Sequence, residues 1–167
     1  MMLDLAPDMY AKCGSLSKAR QVLEELSVRN VISWSAFIAG YAREGDGEQA
    51  LGCFENMQRE GFCPNALTFI CILKACGSIR AFEKGEKTHH EISKLGLLKE
   101  DLVLGTALVN MYAKCGALKK AQQVLEELLI QDATPWNALI SGYARNGEGE
   151  QALSCLEQMQ REGLSLD

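Results

Sequence analysis

The 167-residue sequence has no run approaching the roughly 20 consecutive apolar residues that a membrane-spanning helix needs. Its opening, Met-Met-Leu-Asp-Leu-Ala-Pro-Asp, lacks the basic start and apolar core of a secretory signal and the Arg/Ser-rich character of an organellar transit peptide. Either a cytosolic protein or a chain without its natural front end is expected. None of the seven cysteines (13, 53, 63, 71, 76, 115 and 155) forms a C-x-x-C pair, and the odd count suits reduced thiols. Neither G-x-x-x-x-G-K-[ST] nor G-x-S-x-G occurs, and no paired-carboxylate constellation is present. His89-His90-Glu91 carries the H-x-E string of zinc deaminases without the P-C-x-x-C that completes their metal site, so a solvated or packed histidine pair is expected. Such a chain is not expected to be an enzyme, and a metal, a cofactor, a small-molecule substrate and a membrane are not expected as its partners. A basic excess is missing too: 17 Lys+Arg face 22 Asp+Glu, a net charge of −5 that weighs at first against nucleic acid. With 47% hydrophobic and 23% charged residues, the composition is too apolar for a disordered chain and suits one ordinary soluble domain.

What the sequence does contain is repetition. Residues 9–65 and 111–167 align without a gap at an offset of 102, with 35 of 57 positions identical. The offset pairs Cys13 with Cys115 and Cys53 with Cys155, so four cysteines are repeat positions and small buried thiols explain them better than a metal site. Turn residues subdivide the chain further, into a partial repeat 1–30 and then 31–65, 66–101, 102–132 and 133–167. Within 31–65, Trp34, Phe37, Ile38 and Tyr41 recur at helical steps, Gly45 and Gly47 break the chain, and Ala50, Leu51, Phe54 and Met57 mark a second helical face. Each repeat is thus a helix–turn–helix hairpin of about 35 residues. A hairpin that small must stack on its neighbours to bury both faces, which predicts an all-α solenoid with one helix of each pair lining a common concave surface.

The strings VISWSAFIAGYAREGDGEQALGCFENMQREGFCPN, LTFICILKACGSIRAFEKG and GTALVNMYAKCGALKKA resemble pentatricopeptide repeat proteins, in particular the plant class that alternates 35-, 36- and 31-residue repeats. The resemblance covers about residues 8–167. It implies a right-handed α-solenoid, single-stranded RNA as partner, a mitochondrial or chloroplast location, and a link to C-to-U editing with editing-factor proteins and without a catalytic domain in this chain. The alternative is a tetratricopeptide-like protein scaffold, whose W-x-x-L-G-x-x-Y pattern Trp34-Ser-Ala-Phe-Ile-Ala-Gly-Tyr41 matches poorly.

By that resemblance each repeat reads one base through its fifth and last residues, with the second residue packing on the base. Carried over, the pairs are Ser35/Asn65, Thr106/Asp132 and Asn137/Asp167, which the family's code reads as adenine, guanine and uracil; Ile32, Val103 and Thr134 are the packing residues. Ordinary helix capping is the competing account of such polar residues near helix starts. In 66–101 the fifth residue, Ile70, has no hydrogen-bonding group, so this repeat should read weakly even with Asp101 at its end, and Leu67 should merely pack. Asp4, Pro7 and Asn30 leave the partial repeat unassigned, with Asn30 a further candidate contact. The array then prefers A–x–G–U.

The charge sorts by helix. The first helices (roughly 4–13, 31–44, 66–77, 102–115 and 133–146) carry five basic and three acidic residues; the remainder carries 12 and 19. Lys12, Arg43, Lys114 and Arg145 share one place in their repeats and are candidate contacts to the RNA backbone, or basic groups that satisfy the helix dipole. Because 133–167 keeps the apolar pattern of interior repeats, including Leu153, Leu156 and Met159, self-association through uncapped terminal repeats is expected, and so few repeats suggest a fragment or truncated relative of a longer array.

Overall fold

The computed structural model describes residues 30–99, 101–128 and 132–165, together with 17, 21 and 25. Among the described residues the ordered elements are helices, as the all-α solenoid reading expects. They are α1 (Val31–Glu44), α2 (Gly47–Arg59), α3 (Ala66–Ser78), α4 (Phe82–Lys94), a 3₁₀ turn at Leu97–Lys99, α5 (Leu102–Lys114), α6 (Leu118–Glu127), α7 (Ala133–Arg145) and α8 (Gly149–Arg161). The chain forms two compact bodies, Met1–Ile79 and Arg80–Asp167.

In the first body α1 and α2 pair as a hairpin, and α3 packs on both. The turn depends on Gly45, which stands at φ +82°, a left-handed conformation that costs a residue with a Cβ. Beyond it the Asp46 N–H returns to the Tyr41 carbonyl at 3.0 Å, and the Asp46 carboxylate accepts from Gln49 N at 3.2 Å to start α2. Gly116 and Gly147, both at φ +78°, close the α5/α6 and α7/α8 hairpins in the same way. Gly47 has a different role from the chain break expected of it. It is the first residue of α2, and a Cβ there would lie 2.7 Å from Ile79 Cγ2 and 3.0 Å from the Ala75 carbonyl, so its smallness lets α2 approach the end of α3.

The residues with helical spacing form the core. Trp34, Phe37, Ile38 and Tyr41 of α1 and Ala50, Leu51, Phe54 and Met57 of α2 are buried. Against both packs α3, apolar on most of its circumference, with Phe69, Cys71, Ile72, Leu73, Ala75 and Cys76 inside. Desolvation pushes the Cys71 thiol up, as for an inert packing group. Cys155 is buried as well, whereas Cys63, in the loop after α2, is exposed and departs from the buried-thiol expectation because it belongs to a turn.

In the second body α5 packs against α4, α6 and α7, and α7 pairs with α8. Tyr112 of α5 anchors this packing: its hydroxyl lies 2.8 Å from His89 Nδ1, and burial pushes its pKa up to about 12. His89 packs edge-on against the Tyr112 ring, and burial lowers its pKa, whereas His90 is exposed. The two alternatives for the pair thus each hold for one member. Lys120 pairs with Glu86 and stands 4.9 Å over the Phe82 ring. Among the described residues no three His, Cys, Asp or Glu side chains come together as a metal site, and no helix is long and apolar enough to cross a membrane.

Candidate nucleic-acid interface

The last residue of each repeat before the next first helix is the N-cap of that helix. Asn30 caps α1, its Oδ1 accepting from Ser33 N at 2.8 Å while Ser33 Oγ accepts from Asn30 N at 3.1 Å. Asn65 caps α3 through the same reciprocal pattern with Thr68, at 2.9 and 3.3 Å. Asp101 accepts from Leu104 N at 3.0 Å. Asp132 accepts from Thr134 N at 2.7 Å, because Pro135 at the third position offers no N–H. Hydrogen bonds from the Thr134 side chain and backbone hold the Asp132 carboxyl below its usual pKa. Capping therefore accounts for the last residues.

The fifth residues lie inside the helices, and capping does not account for them. Ser35 is buried, with Oγ 2.7 Å from Thr68 Oγ1. Thr106 Oγ1 and Asn137 Oδ1 are closed off from solvent with no hydrogen-bond partner among the described residues. An orphaned buried polar group costs about 1–3 kcal/mol.

The second residues are the reverse. Ile32, Leu67 and Val103 stand at the starts of α1, α3 and α5 with 67%, 55% and 61% of their surface exposed, and Thr134 is exposed on α7. Leu67, expected only to pack, has no protein surface over most of it. Large apolar side chains at helix starts, each next to a polar cap, form small patches that no described residue covers over most of their surface.

Arg43, Lys114 and Arg145 are exposed in the last turns of α1, α5 and α7, where a cation also meets the negative end of the helix dipole. Arg145 uses its Nε to donate to the Ser141 carbonyl at 3.2 Å. Lys12 and Asp167 lie outside the described residues, as do Asp4 and Pro7. The residue that position counting overlooked is Thr68, third in its repeat. Its signal in the sequence is Asn65-x-x-Thr68, a capping-box spacing also found in Asn30-x-x-Ser33.

Helical hairpins with polar caps and exposed second residues define a helical-repeat protein. Comparison with known proteins supplies the family: the PPR repeat family matches residues 29–78, and the PPR repeat matches 8–31, 106–130 and 134–164. The chain belongs to the pentatricopeptide repeat family. It is 41% identical over 157 residues, 94% of its length, to a chloroplastic pentatricopeptide repeat-containing protein of Arabidopsis thaliana, of which it spans 25%. A mitochondrial member from the same plant is 35% identical over 159 residues, with 95% of this chain and 25% of that protein covered. The chain thus spans about a quarter of the length of these relatives. Among solved structures, the pentatricopeptide repeat protein PPR10 in complex with an 18-nucleotide psaJ RNA element has the same fold, with a TM-score of 0.78 at 21% identity over 99% of this chain and 25% of that one.

Proposed function

We propose that this chain binds single-stranded RNA through the first helices of its repeats, one base per repeat. The observation that carries the reading is the exposure of Ile32, Leu67 and Val103 beside their polar N-caps. A flat base has an apolar face to lay on such a side chain and a polar edge to present to the neighbouring cap, whereas a base paired in a duplex offers neither. The pairs Ser35/Asn65, Thr106/Asp132 and Asn137/Asp167 then read adenine, guanine and uracil, and the repeat with Ile70 acts as a spacer. Arg43, Lys114 and Arg145, with Lys12, hold the backbone. Relatives named as chloroplastic or mitochondrial support an organellar setting, and the resemblance to the class with 35-, 36- and 31-residue repeats supports a link to C-to-U editing beside editing-factor proteins.

Binding of A–x–G–U RNA should fall with salt. For three or four neutralised phosphates the slope of log K against log salt is about −2 to −3, at about −0.7 per contact on a single strand. Anisotropy titrations across a salt series check this. Peptide binding without RNA binding would instead identify a protein scaffold.

The exposed face of α8 supports self-association as a second property. Leu51 is 3% exposed beneath α3, while its counterpart 102 residues on, Leu153 of α8, is 62% exposed. A Cβ on Gly47 would strike α3, while one on Gly149 would meet nothing within 4 Å. Concentration-dependent oligomers are expected in sedimentation velocity, and Leu153→Glu should move them towards monomer. A wild-type monomer at high concentration would count against this face as a contact.

A further inference from the structure

The hydrogen bonds at the junction of α1 and α3 have a direction. Thr68 Oγ1 lies within reach of three groups: Ser35 Oγ at 2.7 Å, Asn65 Oδ1 at 2.9 Å and Asn65 N at 3.3 Å. Its single proton can go to only one of them. Asn65 Oδ1 can only accept, so a Thr68 proton directed elsewhere would leave two oxygens facing each other with no hydrogen between them. The consistent arrangement is a relay in which Ser35 O–H donates to Thr68 Oγ1 and Thr68 O–H donates to Asn65 Oδ1, while Asn65 N–H donates to the second lone pair of Thr68. Asn65 Oδ1 also accepts from Thr68 N at 2.9 Å. Two donors on one end of the amide allow only the oxygen there, which settles its orientation. Asn65 is exposed, and its Nδ2 hydrogens are the part of the amide left to meet a ligand.

We propose that Thr68, the third residue of the following repeat, determines the base specificity of the Ser35/Asn65 pair by holding the Asn65 amide so that it presents donors and no acceptor. The proposal rests on the reading of Asn65 as a base-contacting residue. A donor at this place meets the accepting ring nitrogen of adenine (N1) or cytosine (N3). Guanine N1–H and uracil N3–H would oppose it donor to donor. Thr68 is thus a positioning residue: it acts on the base through Asn65, and Ser35, buried behind it, supplies the proton that completes its bonding. The Thr106/Asp132 junction lacks this device, since the third position there is Pro135, and Thr106 Oγ1 has no partner among the described residues.

The test uses the whole chain and four RNAs that differ only at the nucleotide opposite this repeat. The wild type should favour A or C over G and U by about tenfold. Thr68→Val keeps the shape and the backbone N–H but removes the hydroxyl, so that one hydrogen bond in place of two holds the Asn65 oxygen; discrimination should fall to within about threefold, while affinity for the preferred RNA changes much less. Thr68→Ser should restore the wild-type ratio, which loss of packing alone would not predict. Should the valine variant fold poorly, Thr68→Ala gives the same readout at a helix position where alanine is well tolerated. Full discrimination in Thr68→Val or Thr68→Ala, with loss in Asn65→Ala, would overturn the role of Thr68 and leave the base-reading assignment standing. Equal binding of all four RNAs by the wild type, and no effect of Asn65→Ala, would remove the assignment itself and this proposal with it.

Discussion

Truncating Phe69 to alanine is expected to lower the stability of the first body by about 3–5 kcal/mol, the usual range for removing a fully buried aromatic ring. Phe69 is completely buried, and its ring meets that of Phe54 edge-on at 6.3 Å. Its position explains the size of the effect. α3 is the element that covers both α1 and α2, so the cavity would open where three helices meet and none could shift to fill it without leaving another. Trp34 lies in this body and Trp136 in the other, which permits a local readout. In a Trp136→Phe background, the urea transition followed by Trp34 fluorescence should move to lower denaturant by the amount that corresponds to that free energy. A shift worth less than about 1 kcal/mol would mean that α3 does not carry the core of this body.

Much of this architecture was legible in the sequence because helical spacing and repeat offset are both local signals. Trp34, Phe37, Ile38 and Tyr41 are buried as their three- and four-residue steps imply, and the Gly45 turn recurs at Gly147 at the expected offset. What was not legible depends on the neighbour rather than on the residue. Leu51 and Leu153 are the same residue in the same motif, yet one is buried and the other exposed, because α3 covers the first and no described helix covers the second. Gly47 looked like a chain break because glycine signals flexibility and close approach equally well, and only the position of Ala75 and Ile79 distinguishes them.

The candidate interface divides along the same line. Counting positions found residues whose placement repeats, and three of the second residues, Ile32, Leu67 and Val103, have the exposure that a base-packing role requires. Counting could not find that Ser35 is buried behind Thr68, since that contact joins residues 33 apart across a repeat boundary. Nor could it show that Asp132 caps its helix through the second residue and not the third, which follows from the absent N–H of Pro135.

Asn137→Thr should change the preferred base of the last repeat from uracil to guanine. The template for the change is in the chain itself: Thr106 occupies the fifth position one repeat earlier, paired with Asp132, and Asn137 is paired with an aspartate of the same rank. Both fifth-position side chains hold a buried polar atom without a partner among the described residues, Thr106 Oγ1 and Asn137 Oδ1, so both positions have hydrogen-bonding capacity that those residues do not use. Asparagine and threonine differ little in helix propensity, so α7 should persist and a change in selectivity can be read without a change in fold. A well-placed side-chain pair is worth about 1–3 kcal/mol between right and wrong bases, or roughly tenfold to a hundredfold in affinity. Anisotropy titrations with A–x–G–U and A–x–G–G RNA would report it as a crossing: the wild type binds the first more tightly and the variant the second. If both proteins kept the same order, Asn137 would not read the base, and its orphaned oxygen would belong to the contact that covers the α7/α8 face instead.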